Sequence, residues 1–200
     1  SQKAIYFASA DSVKHAMSLP QCKEVKNRGY ELIYLTSPLD EMVLECLREQ
    51  DGKTFCNVVT DDLGFDTEED KKAAEERDIE NKDFLEFVKS SIGDGVSGVK
   101  LSNKLADMPC ALTTEGGITL EMEKYFRRGP SEEMRKLRAD RVLELNAEHK
   151  AVKALKAAFD ANDTERAGHL AKVLETLAEM MAGCEVEDPA GFVTLVSDLF

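Results

Sequence analysis

Apolar positions change their period several times along the chain. AIYFAS (4–9) is a continuous apolar run, and SVKHAMSLPQCKEVKNRG (12–29) has helical spacing and stops at Gly29. ELIYLTS (31–37) is a second run, LDEMVLECLREQDG (39–52) a second helix, and FCNVVT (55–60) a third strand. Strand and helix alternating at this spacing predict a small parallel βαβαβ layer with right-handed crossovers.

Residues 61–80 break the pattern, with ten acidic side chains against three basic ones and little apolar content beyond Leu63, Phe65 and Ile79. They are expected to be a linker entering a helix. NKDFLEFVKSSIG (81–93) returns to helical spacing through Phe84, Leu85, Val88 and Ile92, and VSGVKLS (96–102) and PCALTT (109–114) read as strands. GGITLEMEKYFRRGP (116–130) predicts a short helix between glycines, with Ile118, Met122, Tyr125 and Phe126 on one stripe and Leu120 pointing roughly away. PSEEMRKLRA (130–139) is read as a polar loop and RVLEL (141–145) as a strand.

The remainder is helical in pattern. Asn146 is the expected N-cap of a helix carrying Val152, Leu155 and Phe159. Asn162 or Asp163 opens a longer one with Ala167, Leu170, Val173, Leu174, Leu177, Met180 and Met181 at near-heptad spacing up to Gly183. Asp188-Pro189 opens the last, whose Phe192, Leu195, Val196, Leu199 and Phe200 are apolar. Those side chains call for burial, either within the subunit or in a two-fold bundle to which each subunit gives two helices. The overall class expected is α+β: a small α/β subdomain, then a mixed α/β domain ending in a helical bundle.

Composition narrows the function. Of 200 residues, 42% are hydrophobic and 32% charged, as in a globular chain, and the net charge of −13 opposes nucleic-acid phosphates and anionic lipid alike. Neither partner is expected. Five scattered cysteines without a C-x-x-C pair point away from zinc and toward reduced thiols in a cytosol. The opening SQKAIYFAS lacks a basic, then apolar, leader pattern, and no run of 18 apolar residues occurs, so neither export nor a membrane span is expected.

Candidate chemistry is sparse. Gly93-Asp94-Gly95-Val96-Ser97-Gly98 spells G-x-G-x-x-G, but a phosphate cradle must follow a strand and open a helix, whereas this run closes a helix and opens a strand. DDLGFDTEED (61–70) and DANDTERAGHL (160–170) lack Gly at loop position six with Glu at twelve, so they are not calcium loops. His15, His149 and His169 have no neighbouring partner at triad or metal spacing, and His149 suits a helix terminus. No catalytic, cofactor or metal residue is assigned.

LDEMVLECLREQDGKTF (39–55), VKLSNKLADMPCALTT (99–114), the short helix at 118–128, LELNAEHKAVKAL (143–155) and EDPAGFVTLVSDLF (187–200) occur in an order and spacing that resemble the C-terminal half of the bacterial ninety-kilodalton heat-shock chaperones. The resemblance spans essentially the whole chain. It implies that residues 1–60 are the last α/β subdomain of the middle domain, 61–76 an acidic linker entering a helix, and 77–200 the C-terminal dimerisation domain. It also implies that ATP and magnesium serve the full-length parent at a site outside this chain, which itself is not an enzyme and carries no cofactor.

By the same resemblance, Ile118, Met122, Tyr125 and Phe126 contact unfolded or partly folded clients from an open face, and Leu170, Val173, Leu174, Leu177, Met181, Phe192, Leu195, Val196, Leu199 and Phe200 join two protomers. Met42 falls on the family's middle-domain client patch, where an aromatic is usual. The ending Asp198-Leu199-Phe200 lacks the acidic tail that recruits helical-repeat cochaperones, and a cytoplasmic protein is expected. Two other readings remain: a small α/β enzyme or ligand-binding protein with a helical cap, and a purely structural dimerisation module.

Overall fold

In the computed structural model, which describes residues 2–199, β1 (Ile5–Ser9) lies between β2 (Leu32–Leu35) and β4 (Lys53–Asn57) and runs parallel to both. The predicted parallel layer therefore forms, with Ala8 fully buried at its centre. The 12–29 helix is split in two, α1 (Val13–Ser18) and α2 (Pro20–Asn27). Pro20 disfavours helical dihedrals at the residue before it, and Leu19 accordingly has ψ of 132°.

The second predicted helix stops earlier than its spacing suggests. It is α3 (Pro38–Leu47), and β3 (Glu49–Gln50) then turns back on β4 through Asp51-Gly52, both at positive φ (52° and 73°). A two-residue hairpin needs those dihedrals, and Asp-Gly supplies them. Beneath the sheet, Ala16, Cys22, Val25 and Val58 pack on Tyr6, whose ring stacks on Tyr30 at 5.9 Å and meets Phe65 at 5.6 Å.

Two compact units divide the chain, one of Ser1–Phe65 with Thr113–Asp140, the other of Asp66–Leu112 with Arg141–Phe200. The first thus also carries α6 (Leu120–Arg127) and α7 (Glu132–Lys136). Residues 130–139, expected as a loop, form α7 because Ser131 Oγ accepts from the Met134 amide at 3.2 Å, an N-cap the polar composition concealed.

The second unit opens with α4 (Glu68–Glu80), started by a Thr67–Asp70 capping box and without a buried residue. Next come α5 (Lys82–Ile92), β5 (Gly98–Ser102), β6 (Cys110–Glu115), of which residues 110–112 belong to this unit, and β7 (Asp140–Asn146). The sheet order is β5-β7-β6, with β5 parallel to β7. Helices α8 (Lys150–Asp160), α9 (Thr164–Met181) and α10 (Pro189–Ser197) complete it.

The core of this unit joins Val88 of α5, Leu143 and Leu145 of β7, Leu155 of α8 and Leu174 of α9. Ala167, Ala171 and Ala178 are buried on α9, which packs against both α5 and α8, and Phe159 closes one end against Phe84 and Phe87 at 5.5 and 5.2 Å. Asn146 is not the N-cap of α8. His149 is, its Nδ1 accepting from the Ala151 amide at 3.1 Å, while Asn146 ends β7 with its side chain buried.

Candidate functional site

Helix α3 begins where Ser37 Oγ accepts from the Leu39 amide and Pro38 fills the first turn. Its sequence then presents two faces. Leu39, Val43 and Leu47, at i, i+4 and i+8, form an outward stripe with exposures of 50%, 54% and 57%. Met42, the expected client residue of this helix, is half-buried beside it. The stripe is legible as a spacing, but its exposure is seen only in the structure.

The inner face of α3 carries a carboxylate. Glu41 is 1% exposed, its Oε1 accepting from Asn57 Nδ2 at 2.5 Å and its Oε2 from Thr119 Oγ1 at 3.0 Å. Burial pushes its pKa up to about 7; the Thr119 hydrogen bond opposes this, the Glu121 and Glu45 charges add to it, and the Asn57 hydrogen bond opposes it. No sequence signal marks this residue apart from its place on the buried side of an amphipathic helix.

Helix α6 follows Gly116 and Gly117, both at positive φ, and starts at Thr119, whose hydroxyl accepts from the Met122 amide at 3.2 Å. Its first turn is buried on more than one side: Leu120, Glu121, Met122 and Glu123 are all below 9% exposed. The predicted stripe is therefore divided. Met122, expected on an open face, is 4% exposed because α6 packs against α3; Tyr125 is exposed, and Ile118 and Phe126 are half-buried. Polar contacts fix the helix: Lys124 bonds Glu121 at 2.6 Å and pairs with Asp11 at 3.6 Å, while Glu123 accepts from the Ala139 amide and pairs with Arg127, both at 2.9 Å.

The expected dimer residues fall into two groups. Val173 and Leu174 belong to the second unit's own core, while Leu170, Leu177 and Met181 are half-buried along α9. Helix α10 contains no buried residue: Phe192, Leu195 and Val196 are half-buried, as is Leu199 just beyond it, and Val193, absent from the sequence reading, is 63% exposed. Phe200 lies outside the described residues.

Among the described residues, no group of three His, Cys, Asp or Glu side chains is placed to hold a metal ion, and no helix is long and apolar enough to cross a membrane. The glycine run at 93–98 closes α5 and leads into β5, so its residues do not fit a nucleotide phosphate. Burial raises the Cys22 thiol to about 11 and those of Cys56 and Cys110 to about 12, far from nucleophilic thiolates. An open cleft of about 230 Å³ beside Phe84, Leu101 and Val152 has Lys153 and Lys156 at its edge, each already paired, with Glu148 and Asp160.

The whole chain, residues 1–200, matches the family model described as Hsp90 protein. It is 35% identical over 191 residues to the chaperone protein HtpG of Bacillus subtilis, 96% of this chain and 30% of that protein. It is 33% identical over 198 residues to the HtpG of Alkaliphilus oremlandii and 34% identical over 198 residues to that of Clostridium perfringens. The chain spans about 30% of the length of these relatives.

Proposed function

The chain belongs to the ninety-kilodalton heat-shock chaperone family, and we propose that it serves as the dimerising and client-binding portion of such a chaperone. In this reading residues 1–60 are the last α/β subdomain of the middle domain, 61–76 the acidic link and 77–200 the C-terminal dimerisation domain. ATP and magnesium act in the parent at a site outside this chain, which is not itself an enzyme. The parent is cytoplasmic and binds no nucleic acid or membrane.

One observation carries the proposal: among the described residues, α3 exposes an apolar stripe and α10 fully buries none of its side chains. Leu39, Val43 and Leu47 on α3 are half exposed or more, and α10 buries none of its side chains. Burying each such side chain contributes about 1.5–3 kcal/mol, so water is a poor final environment for them. The α10 face, with Leu170, Leu177 and Met181 of α9, joins a second copy in a two-fold bundle. The α3 stripe, Met42, and Ile118, Tyr125 and Phe126 around α6 meet the client, with Met122 joining them only where α6 leaves α3; methionine and aromatic side chains adapt readily to such contacts.

A fluorescence titration with an unfolded model client tests this. Val43→Glu and Tyr125→Glu, both at exposed positions, weaken binding about tenfold or more, a loss of about 1.4 kcal/mol. Unchanged affinity in both folded variants would sink the client reading while leaving the dimer reading intact.

A further inference from the structure

We infer that Glu41 is a positioning residue that ties α6 down against α3, and that α6 lifts to uncover Met122 when the buried carboxyl is ionised. The tie is a relay of three groups. The Glu41 carboxylate accepts from the Thr119 hydroxyl at 3.0 Å, and that hydroxyl, as N-cap of α6, accepts from the Met122 amide at 3.2 Å. Asn57 anchors the other carboxylate oxygen at 2.5 Å and is itself fixed, its backbone amide bonded to Asp61 at 2.8 Å and its Oδ1 to the Val59 amide at 3.0 Å. The state of one carboxyl thus bears directly on the first turn of α6.

The surroundings make this tie conditional. From α6 comes Glu121, buried at 8% exposure and bonded to Lys124, with Glu123 also on that helix; from α3 comes Glu45; from the turn after β4 comes Asp61, which faces Glu45. Acidic charges therefore outnumber basic ones around a carboxylate that α6 seals from water. Docking α6 over an ionised Glu41 carries a desolvation and repulsion cost that protonation removes. Lifting α6 rehydrates the carboxyl and returns it toward its ordinary behaviour.

The sign follows from linkage. Glu41 has its pKa raised from 4.5 to about 7 in the docked arrangement, so the docked state binds the proton more tightly. Docking is strongest below the ordinary pKa and weakens as pH rises through 7. Between pH 6 and pH 8 the docking equilibrium shifts by about tenfold.

This deepens the client-binding reading and rests on it for its purpose, but docking itself can be read without a client. Amide hydrogen exchange on the whole chain at pH 6 and pH 8, corrected for the intrinsic pH dependence of exchange, compares α6 with α8 as an internal reference. Protection of residues 119–127 falls about tenfold relative to α8 in the wild-type chain. Glu41→Gln, which offers both an acceptor and a donor without charge, abolishes that fall; Thr119→Val lowers protection at both pH values, and Thr119→Ser restores it. A pH dependence unchanged in Glu41→Gln, or α6 protection that tracks α8 throughout, overturns the inference. If exchange behaves as expected while the client titration at pH 8 is the same for wild type and Glu41→Gln, the latch stands and the client role of α6 falls.

Discussion

The side-chain amide of Asn146 donates to the carbonyls of both Met108 and Ala106 at 3.0 Å, binding the end of β7 to the segment that leads into β6. Its Oδ1 accepts from the Glu148 amide at 3.0 Å as well. Asn146→Ala removes all three hydrogen bonds of this buried side chain and is expected to destabilise the chain by about 1–3 kcal/mol. Guanidinium denaturation checks this, and a change under 0.5 kcal/mol, roughly the level of a neutral surface substitution, would refute it.

His149 caps α8 through a ring nitrogen in place of the usual hydroxyl or carboxylate. His149→Ala removes the acceptor for the Ala151 amide and is expected to cost about 0.5–2 kcal/mol, while His149→Asn keeps the cap and the stability. Thermal melts of the two variants should separate clearly. Equal melting temperatures would deny the cap its role.

Ala171 is fully buried on α9, which packs against α5 and α8. Ala171→Leu adds volume where the helices already touch and is expected to destabilise by about 1–3 kcal/mol. Denaturant midpoints measure the loss; an unchanged midpoint would mean that the helices are not closely packed at this position.

Glu175 on α9 is partly buried, and its pKa is raised from 4.5 to about 7, first by burial and then by the Glu179 charge; its hydrogen bond with Thr176 and the Arg141 charge oppose this, and Glu187 adds to it. The folded state therefore binds a proton more tightly than the unfolded one. The associated stability is fully present below about pH 4.5 and is lost as pH rises through 7. Guanidinium unfolding from pH 5 to pH 8 should show this decline, and Glu175→Gln should make it shallower, leaving the share that Glu41 contributes. An identical decline in the variant would assign the effect to the general negative charge of the chain.

Periodicity and turn chemistry account for what was legible beforehand. The βαβαβ layer, the helix at 81–93 and the three terminal helices follow from apolar spacing, and Asp163 and Asp188 cap their helices as residue type suggests. Other features were hidden because they depend on partners distant in sequence. Asn146 has an N-cap's composition, yet its bonds reach 40 positions back to Ala106, and His149 takes the cap instead. Met122 fits an amphipathic stripe, but whether a stripe is open depends on what packs on it, here α3. Glu41 falls on the buried side of α3, but no spacing marks its partner Thr119, 78 positions away.

The most direct test is sedimentation equilibrium of the whole chain and of Val193→Glu, a substitution at a position 63% exposed in one copy. A dimer for the wild-type chain at roughly 10 μM and a monomer for the variant are expected, since in the proposed two-fold contact through α10 an introduced charge is repeated in both subunits. A wild-type chain that remains monomeric at that concentration would contradict the account at its centre.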